Sequence, residues 1–312
     1  MKILAVDDDP DFLALFQSTL QSLGYTRVTT AVSGDDALRK IGYAQVPFDC
    51  FILDIKMPGM DGIELCRRIR ALPQYRDAPI MMNTIMSDRD HIDRAFSAGA
   101  TDYLTKPVDP IEIRARLGVI EQLVLERLRA QIAVTQGNGA MRAMASYGFM
   151  DGIPMKRVVG AMDRLAMANY LNALGLFRAM ATSAVAVQVV NAREIYDLEG
   201  GAVFGEIMVD VATCLSDCLQ GRLRMISYAG GGTFVFLANR SELEDGERLA
   251  ARLSHYIEEF HLVYKDLGIT LPTVAVGTPV ACGASHLRAP DRIIDEAVTG
   301  VRRQGAGLTR TA

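Results

Sequence analysis

Four places in this 312-residue chain hold side chains that could do chemistry together. Three acids, Asp7, Asp8 and Asp9, follow the apolar run KILAV. Asp54 ends a second run in DCFILDI, Thr84 ends a third in APIMMNT, and Lys106 ends TDYLTK. Carboxylates gathered at one edge repel one another unless a cation joins them, and hard oxygen ligands with room for water suit Mg²⁺. A carboxylate beside Mg²⁺ can attack a phosphoryl group, because the metal and a lysine neutralise the transferring oxygens. A further stretch, SYAGGGTFVFLAN (Ser227–Asn239), sets three glycines between two apolar runs. It reads as a β-hairpin with a bare turn that a phosphate could approach closely. Phosphate chemistry would need metal-binding acids there, and none stands beside it.

The four places meet only if strands end at a common edge. Lys2–Val6, Arg27–Ala31, DCFILDI, APIMMNT and TDYLTK read as strands. Helical stretches separate them: FLALFQSTLQSLG, about Asp35 to Ile41, GIELCRRIRAL and DRDHIDRAFSAG. Such alternation predicts a doubly wound parallel five-stranded sheet, whose ligands bind beyond the carboxyl ends of the strands. A fifth helix begins at VDPIEI, with Asp109 as cap, Pro110 first and Glu112 in the capping-box position. Its seam of Ile113, Leu117, Ile120, Val124, Leu128 and Ile132 continues past what the sheet needs. TQGNGA then reads as a linker. The expected domains are 1–122, an extended helix and linker over 123–147, and 148–312. The last predicts helix Pro154–Met180, strand Ser183–Val190, helix Val203–Gln220, the glycine hairpin, helix Glu242–Leu267, strand Thr273–Thr278 and helix Asp291–Gln304.

Half of the residues are hydrophobic and the net charge is −4, which provides no strong field for nucleic acid. No apolar run reaches the length of a membrane span, and the N-terminal run is too short for a signal peptide. The five cysteines lack zinc or disulfide spacing. Cys214 and Cys218, four apart on a helix, read as small buried hydrophobes. A reduced, cytoplasmic setting fits.

VDDDP, LDIKMPGMDG, NT and YLTKP, in that order over about 120 residues, resemble the response-regulator receiver domain, a flavodoxin-like fold. The resemblance implies that Asp54 is a phosphoacceptor supplied by a sensor histidine kinase or phosphotransfer protein. Asp8 and Asp54 would ligate Mg²⁺, with Asp7 assisting through water, while Asp9 leads the following helix. Lys106 would pair with the phosphate and precede a cis proline. Thr84 would move to the phosphate and Tyr103 would rotate behind it, reporting to the face of helix 4, strand 5 and helix 5. From the helix 5 seam, a homodimer through that face and helix is expected, the alternative being that the helix docks on the second domain of its own chain. Ile85 stands where the family has a small residue, and should crowd the phosphoryl path.

GGGTF (Gly230–Phe234), DGIPMKR (Asp151–Arg157) and DEAVTGVRRQG (Asp295–Gly305) resemble anchors of the GGDEF, or diguanylate cyclase, fold, an α+β cyclase palm. The departures are extensive. Gly232 and Thr233 replace the signature's metal acids, Gln188 and Val190 replace those of the first strand, and Tyr196 replaces a guanine-reading Asn. Ala306 replaces an arginine, and the product-site motif near Gly221 and Arg224 is absent. Gly230, Gly231, Gly232, Glu206 and Arg302 would be a vestigial nucleotide site. Two-metal cyclisation cannot proceed without its acids. The expected output is therefore non-enzymatic, acting on a downstream protein. The alternative is a receptor that binds GTP or cyclic-di-GMP without turnover.

Overall fold

Short apolar runs broken by polar caps fold into two units, Met1–Arg142 and Ala143–Ala312, in a computed structural model. It describes residues 1–85, 89–136, 147–155, 157–219, 225–259, 264, 268–283, 286, 289 and 291–308.

In the first unit the strands are β1 (Lys2–Val6), β2 (Arg27–Ala31), β3 (Cys50–Asp54), β4 (Ile80–Ile85) and β5 (Asp102–Lys106). They form a parallel sheet in the order β2-β1-β3-β4-β5. The helices are α1 (Pro10–Ser22), α2 (Gly34–Gly42), α3 (Gly62–Ala71), α4 (Arg89–Ser97) and α5 (Pro110–Gln136). Asp9, Ser33 and Asp61 cap α1, α2 and α3 by accepting from free backbone N–H groups. Every residue of β3 is buried, because helices cover both faces of the sheet. Ile3, Ala5, Ile52, Met81 and Leu104 pack with residues of α1 and α5, whereas Leu4, Val6, Phe51, Leu53, Ile80 and Met82 pack with residues of α2, α3 and α4. Ile113, Leu117 and Ile120 of the α5 seam are buried, and Val124 is half-buried. The side chains of Leu128 and Ile132 lie outside the described residues.

The second unit is built on strands β6 (Thr182–Val189), β7 (Met225–Tyr228), β8 (Thr233–Asn239), β9 (Val274–Val276) and β10 (Val280–Ala281). Their sheet is antiparallel in the order β10-β6-β8-β7, with β9 also pairing with β6. The helices are α6 (Arg164–Ala173), α7 (Gly175–Ala181), α8 (Ala192–Cys218), α9 (Gly246–Glu259) and α10 (Arg292–Leu308). The unit is α+β.

The structure departs from three expectations. The single helix expected over Pro154–Met180 is two short helices, and among the described residues of 154–163 there is none. Ala161 bridges to Ile226, Asp163 caps α6, and Gly175 at φ +66° separates α6 from α7. The helix expected from Val203 is present just after the non-helical Gly200 (φ +77°), and a further helical stretch from Ala192, absent from the sequence reading, runs up to that kink, so that α8 spans both. Helix α9 starts at Gly246 rather than Glu242, because a 3₁₀ turn takes Arg240–Glu242.

Candidate functional site

At the carboxyl edge of the first sheet, carboxylate oxygens of Asp7, Asp8 and Asp54 all lie within 4.8 Å of one another. Asp7 and Asp54 are buried and Asp8 is exposed. Lys106 Nζ stands 2.7 Å from Asp7 Oδ2 and 3.4 Å from Asp54 Oδ1, and 4.4 Å from the Phe12 ring centre. Burial pushes the Asp54 carboxyl up to about 6; Lys106 opposes the rise, and Asp7 and Asp8 add to it. Three carboxylates around one ammonium leave net negative charge that a hard cation would neutralise. The all-oxygen donor set, open to water at Asp8, fits Mg²⁺. Asp9 lies outside this set: its carboxylate caps α1 and its N–H donates to Asp7 Oδ1 at 3.1 Å.

The loop after Asp54 returns so tightly that a Cβ on Gly62 would lie 1.9 Å from the Asp54 carbonyl oxygen. Only glycine allows that approach. The peptide bond before Pro107 is cis, as expected.

Side-chain alternation divides the strand ends between two faces. Asp54 follows Ile52, Asn83 follows Met81 and Lys106 follows Leu104 on the α1/α5 side. Thr84 follows Met82 on the other side, where Tyr103 also packs. Thr84 donates to the Ile85 carbonyl at 3.4 Å rather than to Asp54. Tyr103 is half-buried beneath the Arg116 guanidinium, 5.3 Å from its ring centre. Arg116 in turn pairs with Asp102 at 2.6 Å and with Glu112 at 2.8 Å. Ile85 is 66% exposed at the rim, in register with Lys106. Sequence reasoning misses Asn83, whose only local signal is an amide closing the apolar run Ile80–Met82.

In the second unit the glycine turn joins β7 to β8, as the hairpin pattern predicts, with Tyr228 opposite Phe234. Gly230, Gly231 and Gly232 all have positive φ, at 79°, 60° and 72°. The turn is buried and the N–H groups of Gly231, Gly232 and Thr233 are already committed. Gly231 N–H donates to Phe149 O at 2.9 Å, Gly232 N–H to Tyr228 Oη at 3.1 Å and Thr233 N–H to Gly230 O at 3.1 Å. A Cβ on Gly230 would meet the Met150 carbonyl oxygen at 2.6 Å, and one on Gly232 would meet Ala192 Cβ at 2.3 Å. Arg302 Nη2 donates to Ala229 O at 3.1 Å and Gly230 O at 2.8 Å, and its Nε donates to Thr233 Oγ1 at 3.0 Å. Thr233 Oγ1 donates to Gln188 Oε1 at 2.7 Å, and Gln188 Nε2 donates to Val189 O and Gly231 O.

Among the expected vestigial residues, the three glycines and Arg302 thus meet. Glu206 is placed otherwise: it is exposed and pairs with Arg157 at 3.2 Å, near the bonded pair Asp210–Tyr264. Tyr196 packs edge-on against Phe149 and Phe204, with ring centres 5.5 and 5.4 Å away. The product-site positions Gly221 and Arg224 lie outside the described residues.

A parallel sheet in this strand order, with an acid triplet and a lysine at its carboxyl edge, defines a receiver-type α/β domain. Residues 3–118 match the response regulator receiver domain family. The chemotaxis protein CheY1 of Helicobacter pylori is 32% identical over 120 residues, covering 38% of this chain and 96% of that protein. The chain belongs to the response regulators that carry this receiver domain. The response regulator PleD of Caulobacter vibrioides is 32% identical over 154 residues, 49% of this chain and 33% of PleD. The cyclic di-GMP phosphodiesterase response regulator RpfG of Xanthomonas campestris is 48% identical over 75 residues, 24% of this chain and 20% of RpfG. The chain thus spans a third or less of these two relatives. No described helix is long and apolar enough to cross a membrane.

Proposed function

We propose that the chain is a response regulator that accepts a phosphoryl group on Asp54. The observation that carries this reading is the placement of Lys106 between Asp7 and Asp54, at the edge of an acid cluster. Asp7, Asp8 and Asp54 would hold Mg²⁺, which when bound supplies charge neutralisation on the transferring oxygens. An Asp54 carboxylate oxygen attacks phosphorus, the bond to the donor breaks, and the donor leaves with its electron pair. Lys106 turns from Asp54 to a phosphoryl oxygen. Thr84 then donates to the phosphoryl group, and Tyr103 follows on its own face of β5.

The second unit is, on this proposal, a degenerate GGDEF-like domain without cyclase activity, acting through contacts with a downstream protein. Support comes from the turn: the N–H groups of Gly231, Gly232 and Thr233 bond within the chain, and Gln188, Thr233 and Arg302 form a network with no carboxylate for metal. The same closure weighs against a receptor for GTP or cyclic-di-GMP. A homodimer through α4, β5 and α5 belongs to the proposal and is tested by light scattering with and without beryllium fluoride.

Intact-mass measurement with acetyl phosphate and Mg²⁺ tests the phosphorylation reading. One phosphoryl group should be added and should be lost in Asp54→Asn. Full labelling of that variant would sink it.

A further inference from the structure

Lys106 reaches its partners across a strand. It stands on β5, whereas Asp54 ends β3 and Asp7 follows β1, and β4 lies between β5 and β3. The lysine stem must therefore cross the end of β4 on the α1/α5 side. The last two β4 residues on that side are Asn83 and Ile85, and Ile85 is exposed at the rim. The last buried β4 side chain on that side is Asn83, directly opposite Asp54 in the parallel register and 2% exposed. Its Oδ1 is buried and has no hydrogen-bond partner among the described residues.

An orphaned buried acceptor destabilises the protein, whereas an apolar side chain of similar size would not. The orphan lies in the resting arrangement, with Lys106 held by Asp7 and Asp54. An ammonium has three N–H donors and no acceptor. Once Mg²⁺ and a phosphoryl group engage the carboxylates, the largely buried lysine needs new acceptors for its N–H groups.

We propose that Asn83 is a positioning residue for Lys106, its Oδ1 accepting an ammonium N–H in the Mg²⁺-bound, phosphorylated state. This rests on the phosphorylation reading of Asp54. Asn83 does not touch the reacting atoms on this proposal; it steadies the group that does.

The test compares full-length wild type, Asn83→Leu and Asn83→Asp. Asn83→Leu should label with acetyl phosphate about tenfold more slowly, the worth of one hydrogen bond to a charged group. The Lys106 ammonium, followed by ¹⁵N NMR with Mg²⁺ and beryllium fluoride, should exchange faster with water in Asn83→Leu. Asn83→Asp keeps an acceptor at the same place and should restore the slow exchange. Without Mg²⁺, the Tm of Asn83→Leu should equal or exceed that of wild type, because the orphaned acceptor is gone; a merely structural role would lower it. Equal labelling and equal ammonium exchange in Asn83→Leu and wild type would overturn the proposal. If wild type and Asp54→Asn both fail to label, the phosphorylation reading fails by itself. The Mg²⁺ arm then decides: a Lys106 signal that responds to Mg²⁺ identically in wild type and Asn83→Leu overturns the role of Asn83, and a response lost in Asn83→Leu supports it.

Discussion

The Arg302 guanidinium lies against Thr233, its Nε 3.0 Å from the threonine hydroxyl, while its Nη2 holds two carbonyls of the glycine turn. A protein cation thus sits on the turn expected to be a vestigial nucleotide site, and the fork geometry of arginine lets one side chain satisfy three acceptors.

Arg302→Ala should therefore destabilise the full chain by about 2–3 kcal/mol, because buried acceptors lose a charged donor. Arg302→Lys should recover only part of this, since an ammonium lacks the fork. Urea denaturation measures both. Wild-type stability in the Ala variant would mean that the turn closes without the arginine.

No cyclic-di-GMP should form from GTP with Mg²⁺ or Mn²⁺, whatever the state of Asp54. Acids restored at Gly232 and Thr233 should not rescue activity. Gln188 still offers no charge, and a side chain at 232 would meet Ala192. Product chromatography decides; turnover that disappears with the second unit would refute the expectation.

Metal-free stability should depend on Asp54. Its carboxyl is raised from 3.8 to about 6, chiefly by burial. Between those values the folded chain binds more protons than the unfolded one. Stability therefore falls as pH rises through that window, and the cost is fully present above about 6. Asp54→Asn should raise Tm by roughly 2–6 °C at pH 7.5 without Mg²⁺, with the gain shrinking towards pH 4. Mg²⁺ should stabilise wild type more than the variant. Thermal unfolding across pH reads all three, and a pH-independent gain would contradict burial of the charged carboxylate as the cause.

Gly62→Ala should cost at least about 2 kcal/mol and slow Asp54 labelling, because its Cβ would sit 1.9 Å from the Asp54 carbonyl oxygen. Near-normal Tm and labelling would mean that the loop has room to shift.

Ile85→Ala should label faster than wild type. Ile85 is not packed into the pocket but stands exposed beside Lys106, so removing it opens the rim with little effect on stability. Equal rates would remove any role for crowding.

The chain order of short apolar runs, four of the five followed by an acid, a hydroxyl or an ammonium, determined the parallel sheet and its reactive edge. Those features are local: strand ends and caps follow from adjacent residues, and a doubly wound sheet brings such ends together. The hairpin at Gly230–Gly232 was legible for the same reason. The helix breaks at Asp163 and Gly175 were not, because apolar residues run across both, and a cap and a positive φ decided against them. Asn83 was also hidden: its significance comes from a lysine that crosses from the neighbouring strand. The closure of the glycine turn depends on Phe149, Gln188 and Arg302, dozens of residues away along the chain. No periodicity records such a meeting. Only tertiary packing brings these groups together, and burial then makes each unsatisfied donor or acceptor costly enough to choose its partner.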